Sequence, residues 1–220
     1  MNKDDRKRTM LVLVGSPRRD GNSATLARAV AEGAESAGHE VRLRFADAHI
    51  GGFLRDCRSC RRPDGSCSIE DGYRDLFLND FLDADGLVLC TPIYWYGLSA
   101  QTKAFFDRSF CYYAASYPDA PRVMSRIAGK HLGLVLAAEE SYPGAALGIV
   151  HAVQEFVRYT HGRFAGVVHG VGNRRGEVVR DPRDPVGQAE RLGRELFTRG
   201  YSDYRLETER STRVWPAGDA

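Results

Sequence analysis

Two rhythms of apolar residues alternate along the chain. Met10 to Val14, Gly86 to Cys90 and His131 to Ala137 are short, nearly continuous apolar runs, the pattern of strands buried on both faces. Glu40 to Phe45 instead alternates Val41, Leu43 and Phe45 with Arg42 and Arg44, as a strand with one wetter face does. Arg163 to Gly170 reads as a fifth strand. Helical spacing covers 22–37, stopped by Gly38; Glu70 to Asp83, with Tyr73, Phe77 and Phe81 at i, i+4 and i+8; Ser99 to Phe110; Ala145 to Tyr159; and Pro185 to Arg199. Strand and helix thus alternate, which predicts an α/β fold: a mostly parallel five-stranded sheet with helices on both faces, where right-handed crossovers place them.

Two loops break this rhythm. Gly15 to Ser23 follows the first strand and is rich in donors: the hydroxyls of Ser16, Ser23 and Thr25, the Asn22 amide, the Arg18 guanidinium, and the N–H groups of a helix start, with Asn22 and Ser23 as good capping types. No Gly-Lys-Ser/Thr follows, so it is not a Walker loop, and Gly-x-Gly-x-x-Gly is missing, so it is not a dinucleotide fingerprint. Thr91-Pro-Ile-Tyr-Trp-Tyr-Gly-Leu-Ser99 follows the third strand and sets Ile93, Tyr94, Trp95 and Tyr96 between Pro92 and Gly97, as a wall for a flat ring would. In a doubly wound sheet of order 2-1-3-4-5 the strand order reverses between strands 1 and 3, and ligands sit there, beyond the carboxyl ends. The two loops therefore predict one shared site, bordered by 138–144 after the fourth strand.

With 220 residues, 43% of them hydrophobic, the chain suffices for one sizeable core: one domain over 10–201, a charged extension over 1–9 and a polar tail over 202–220 that contains Trp215. A net charge of +2, from 31 basic and 29 acidic side chains spread along the chain, points to neither nucleic acid nor membrane. The apolar runs fall short of the ~20 residues of a membrane span, and no signal-peptide pattern opens the chain, so a cytoplasmic protein is expected. Five cysteines, an odd number, fit reduced thiols better than a disulfide framework.

Gly15-Ser16-Pro17-Arg18-x-x-Gly21-Asn22-Ser23-x-Thr25-Leu26, together with Pro92-Ile93-Tyr94-Trp95-x-x-Leu98-Ser99 and Lys103-x-Phe105-x-Asp107-Arg108, resembles the NAD(P)H-dependent FMN reductase family, in particular its iron-sulfur-flavoprotein-like branch. The resemblance implies a flavodoxin-like three-layer sandwich. It implies that Ser16, Arg18, Asn22, Ser23 and Thr25 hold the phosphate of FMN, and that Pro92, Ile93, Tyr94, Trp95, Tyr96 and Gly97 line the isoalloxazine, with Ala138 and Glu139 at its border. It implies hydride transfer from NADPH or NADH through flavin N5 to a quinone, flavin or similar small acceptor; the alternative is an electron-transfer flavoprotein that oxidises no nucleotide itself. Such chemistry needs position and electrostatics rather than a protein acid, base or nucleophile, so no catalytic residue is named. A homodimer is expected, with the aromatic run Phe110 to Tyr117 as a loop over the pocket or a second subunit. Lys103 and Asp107, four apart on a helix, read as a surface ion pair.

Cys57-x2-Cys60-x6-Cys67 matches three positions of the four-cysteine loop of iron-sulfur flavoproteins, with Pro63 where the fourth thiolate belongs. A metal-free loop of reduced thiols is the reading. A cluster, zinc and a redox-active Cys57/Cys60 pair stay open, the last supported by Arg55, Arg58, Arg61 and Arg62, which favour thiolate. Those arginines and Arg18 also suit the extra phosphate of NADPH.

Overall fold

The computed structural model describes residues 6–59, 63–65, 67–114 and 116–200; the tail expected over 202–220 lies outside them. The chain runs β1 (Thr9–Val14), α1 (Asn22–Ser36), β2 (Glu40–Phe45), a short α2 (Tyr73–Asp75), β3 (Gly86–Tyr94), β4 (Gly97–Leu98), α3 (Ala100–Tyr113), α4 (Ala120–Ile127), β5 (His131–Ala138), α5 (Gly144–Tyr159), β6 (Arg163–Val171) and α6 (Pro185–Glu195). Five strands form one parallel sheet in the order β2-β1-β3-β5-β6, so the expected 2-1-3-4-5 order holds for them. The sixth, β4, folds back antiparallel on the end of β3, with Ile93 opposite Leu98 and Tyr94 opposite Gly97.

Alternation of side chains along each strand divides the core in two. Leu11, Leu13, Leu87, Leu89, Leu134 and Leu136 face a layer that holds Tyr73, Phe77, Phe81, Phe105 and Tyr112. Met10, Val12, Val14, Val88 and Val135 face Leu26 and Val30 of α1 and Leu192 of α6. Every one of these side chains is essentially sealed from solvent.

Three expectations change. The helix expected over 70–83 is α2 followed by a π-helical stretch, Leu76–Phe81, and it still buries Tyr73, Phe77 and Phe81. The aromatic run after Phe110 is not a loop over the pocket. α3 continues to Tyr113, Tyr112 stacks on Phe77 with ring centroids 4.8 Å apart, and Tyr117 packs edge-on against Tyr112. Large apolar rings gain most where the core can enclose them, and this face of the sheet offers that space. The amphipathic α4, with Pro121 in its first turn, was not anticipated.

Among the described residues no helix is long and apolar enough to cross a membrane.

Candidate functional site

The loops after β1 and β3 are bolted together by buried hydroxyls. Gly15 N–H donates to Cys90 O at 2.8 Å, and Ser99 Oγ donates to Gly15 O at 2.7 Å. Ser99 Oγ also caps α3 by accepting from Thr102 N–H (3.3 Å), while Thr102 Oγ1 donates to Thr91 Oγ1 (3.0 Å). Only glycine fits at position 15: a Cβ there would lie 1.9 Å from Thr102 Oγ1. The close approach sets the phosphate-type loop and the aromatic loop side by side.

At the start of α1 the capping residue is Gly21, which offers no side-chain acceptor, and the first turn carries no acidic residue. The leading N–H groups of a helix have no acceptors within it, so this end of α1 is a positive dipole end lacking its own counter-charge. Ser16 and Ser23 are 4% and 3% exposed beside it, and Ser16 Oγ accepts from Arg18 N–H at 3.2 Å. Asn22 is not the cap its type suggested. Its amide donates to Gly172 O at 2.8 Å and accepts from Val178 N–H at 3.2 Å, fastening the loop after β6 to α1. Thr25 Oγ1 turns back to Gly21 O, 3.3 Å away.

The aromatic loop is a tight hairpin whose two central residues, Trp95 and Tyr96, both have positive φ, 50° and 58°. Asn-Gly is the usual choice for such turns; bulky L-residues are strained there. Trp95 is 96% exposed, and Tyr96 shares a hydrogen bond with Tyr142 of the β5–α5 loop that raises the Tyr142 pKa.

Between these loops lies a cleft of about 510 Å³ at the carboxyl ends of the strands, within the size range of cofactor pockets. Of the thirteen residues expected at a cofactor site, ten line it: Ser16, Arg18, Asn22 and Ser23 on one side, Pro92, Ile93, Tyr94 and Trp95 on another, Ala138 and Glu139 on a third. Thr25, Tyr96 and Gly97 do not. The sequence reading missed the fourth wall, Gly172, Asn173, Arg174 and Arg175 after β6. The signal was available: β6 is the next strand along, and its carboxyl end carries Asn-Arg-Arg.

That wall is held by carboxylates behind it. Glu177 accepts from Asn173 N–H (2.8 Å) and Arg174 N–H (2.9 Å), bonds that lower its pKa. Arg183, assisted by backbone N–H groups that include Val171, holds the Asp181 carboxyl down at about 2. Arg175 pairs with Asp20 at 3.2 Å across the cleft mouth. Three arginines, Arg18, Arg174 and Arg175, line the cleft together with two carboxylates, Glu139 and Glu140.

A second hollow, about 280 Å³ and mainly apolar, lies under the cysteine loop, lined by Leu54, Ile69 and Phe110 together with Cys57, Cys67 and Cys111. Its floor is a buried ion pair: Arg108 binds both oxygens of Asp71, stacks 4.2 Å over the Tyr73 ring and donates to Gly52 O at 3.2 Å. Asp71 in turn accepts from Gly51 N–H at 2.8 Å. Burial opposes the Asp71 charge, but Arg108 and these N–H groups outweigh it and keep its pKa low. Cys57 Sγ lies 3.3 Å from Ser59 Oγ and 3.1 Å from Ser68 Oγ, and hydrogen bonds from Ser59 and then Ser68 lower its pKa to about 7. Cys60 falls outside the described residues. Among those described, no three His, Cys, Asp or Glu side chains are gathered as a metal would need, and Pro63 adds no sulfur. Lys103 and Asp107 form the expected surface pair at 2.5 Å.

Residues 8–168 match a family model described as the flavodoxin-like fold. The chain belongs to that family. A Bacillus subtilis protein that carries the name NAD(P)H-dependent FMN-containing oxidoreductase YwqN is 28% identical over 77% of this chain and 88% of its own length. An iron-sulfur flavoprotein of Methanocaldococcus jannaschii is 35% identical over 43% of this chain, and the match spans about half of that relative, 48%. Among solved structures, an NAD(P)H:quinone oxidoreductase from Methanothermobacter marburgensis superposes with a TM-score of 0.64, at 18% identity over 87% of this chain and 98% of its own, a likeness of fold. Both kinds of relative implied by the sequence motifs are thus present.

Proposed function

We propose that the cleft binds FMN and that the protein is an NAD(P)H-dependent oxidoreductase passing electrons to a quinone, flavin or similar small acceptor. The observation that carries this reading is the meeting of an uncapped helix N-terminus and an aromatic hairpin in one cleft between β1 and β3. A phosphate monoester suits the first, which has donors and no acid; an aromatic ring system suits the second. The relative named as an FMN-containing oxidoreductase, matched over most of both chains, supports the same assignment.

In this reading the N–H groups at the start of α1, the Ser16 and Ser23 hydroxyls and Arg18 hold the phosphate. Asn22 acts at one remove, its side chain being committed to the β6 loop. Ile93 and Tyr94 pack against the ring, and Ala138 closes its far edge. FMN, when bound, supplies the hydride chemistry; the chain supplies position, exclusion of water and fixed dipoles. Arg174 and Arg175 flank the mouth, where the phosphates of either nicotinamide nucleotide would arrive, and a phosphate at the 2′ position would gain most from them.

The test is an absorption spectrum of the purified protein before and after added FMN, followed by NADPH and NADH oxidation with a quinone as acceptor. A flavin spectrum that bleaches under NAD(P)H and recovers with quinone is expected. Colourless protein that binds no added FMN would overturn the assignment.

A further inference from the structure

The cysteine-loop hollow takes no part in the proposed flavin chemistry, yet it is built around sulfur. Three thiols line it, and their surroundings differ in a way that assigns roles. Cys57 is exposed and receives two hydroxyl contacts, from Ser59 and Ser68. The Ser59 hydroxyl is itself fixed by accepting from Ser68 N–H at 3.1 Å, so the strand of chain that carries Cys67 and Ser68 lies directly against Cys57. Cys67, half-buried, has two donors aimed at its sulfur: Ile69 N–H at 3.5 Å and the Arg108 guanidinium at 3.8 Å. Arg108 cannot swing away, because both oxygens of Asp71 and the Tyr73 ring hold it. Cys111 instead donates its S–H to Arg108 O at 2.9 Å.

We propose that this hollow is a thiol–disulfide exchange site in which Cys57 attacks a small disulfide and Cys67 resolves the product. The Cys57 thiolate, its proton released to solvent, attacks one sulfur of R–S–S–R; the S–S bond breaks and one R–S⁻ leaves, forming Cys57–S–S–R. Cys67 then attacks the Cys57 sulfur and the second R–S⁻ leaves. The protein dithiol is oxidised to a Cys57–Cys67 disulfide, and R–S–S–R is reduced to two R–SH, which take up the two protons lost by the protein. Hydrogen bonds to the attacking Cys57 sulfur favour its thiolate form, the reactive species in exchange. The apolar walls Leu54, Ile69 and Phe110 accept an aliphatic R group. Arg55, which has no ion pair among the described residues, favours an R group bearing carboxylate, while Arg58 at the rim is paired with Asp56 at 3.0 Å.

The experiment uses the full chain as purified, with glutathione disulfide as probe, intact-mass measurement and peptide mapping. Wild type is expected to finish with a Cys57–Cys67 bridge and no retained glutathione. Cys67→Ser should stop at one glutathione on Cys57, and Cys57→Ser should lose the reaction by on the order of tenfold or more in rate. Ser68→Ala should slow the first step without changing where the label lands, which a merely structural serine would not do. A Cys57–Cys60 bridge, or labelling of Cys111 or Cys60 as fast as Cys57, would overturn the proposal. So would a Cys67→Ser protein that gains no glutathione. Because the readout is mass, it stands apart from the flavin assignment.

Discussion

Ser99 Oγ reaches across 84 residues of sequence to donate to the Gly15 carbonyl at 2.7 Å, and in doing so it makes one site out of two loops. The same oxygen caps α3 through Thr102 N–H, so the helix, the aromatic hairpin and the phosphate-type loop share one anchor. Ser99→Ala leaves the buried Gly15 O and Thr102 N–H without this partner, which costs about 1–3 kcal/mol. Urea unfolding should show that loss, and FMN titration should show weaker binding. Stability equal to wild type would contradict the anchoring role.

Gly15→Ala should be worse, because the new Cβ meets Thr102 Oγ1 at 1.9 Å, with Ser99 Oγ at 2.9 Å and Thr91 Oγ1 at 3.0 Å. If crowding is the cause, adding Thr102→Ala should recover part of the lost melting temperature. Equal melting temperatures for the single and double variants would place the damage elsewhere.

The hairpin stores strain in Trp95 and Tyr96, both with positive φ. Replacing the pair with Asn-Gly, the residues such a turn prefers, should stabilise the protein by about 1 kcal/mol even though the Tyr96 contact with Tyr142 is lost. Trp95 is 96% exposed, so its removal costs little packing. FMN affinity or turnover with quinone should fall at the same time, since a residue kept in a costly conformation at a cleft rim is kept for what it does there. A variant that is neither more stable nor less active would refute both halves.

Arg108 and Asp71, with side chains 3% and 8% exposed, tie the cysteine loop to α3. Breaking a buried pair from one side strands a charge, at about 3–5 kcal/mol. Arg108→Met and Asp71→Asn should each lower the unfolding midpoint sharply, and the double variant should lose less than the sum. Additive losses would mean that the two side chains act independently.

Asp181 predicts a pH dependence. Its carboxyl is held at about 2 by Arg183 and backbone N–H groups, below the ordinary unfolded value of about 3.9. A carboxyl with a depressed folded pKa stabilises fully above the unfolded value and loses that contribution as pH falls through the folded one. The stability gap between wild type and Asp181→Asn should therefore be widest near neutrality and narrow steadily below about pH 4. A gap that stays constant from pH 7 to pH 3 would exclude the linkage.

Much of this was legible in the residues. The succession of strands and helices followed from alternating apolar runs, and the position of the cleft followed from two irregular loops placed after strands 1 and 3, given a flavodoxin-like strand order. Local pattern reports such features because backbone period and burial are local properties. It reported the Tyr112 region wrongly: a helix end and a loop can carry the same aromatic residues, and only the space opposite Phe77 decided between them.

The sequence by itself thus determined the layered α/β architecture, the anion-type loop and the aromatic loop, since each is written in contiguous residues. The tertiary structure decided which partners those residues took. It spent the Asn22 amide on the β6 loop rather than on capping, brought Arg174 and Arg175 to the cleft, and placed Ser68 against Cys57 and Arg108 against Cys67. A side chain can satisfy a hydrogen bond in several ways, and the choice rests on distances between segments far apart in the chain, which no local pattern contains.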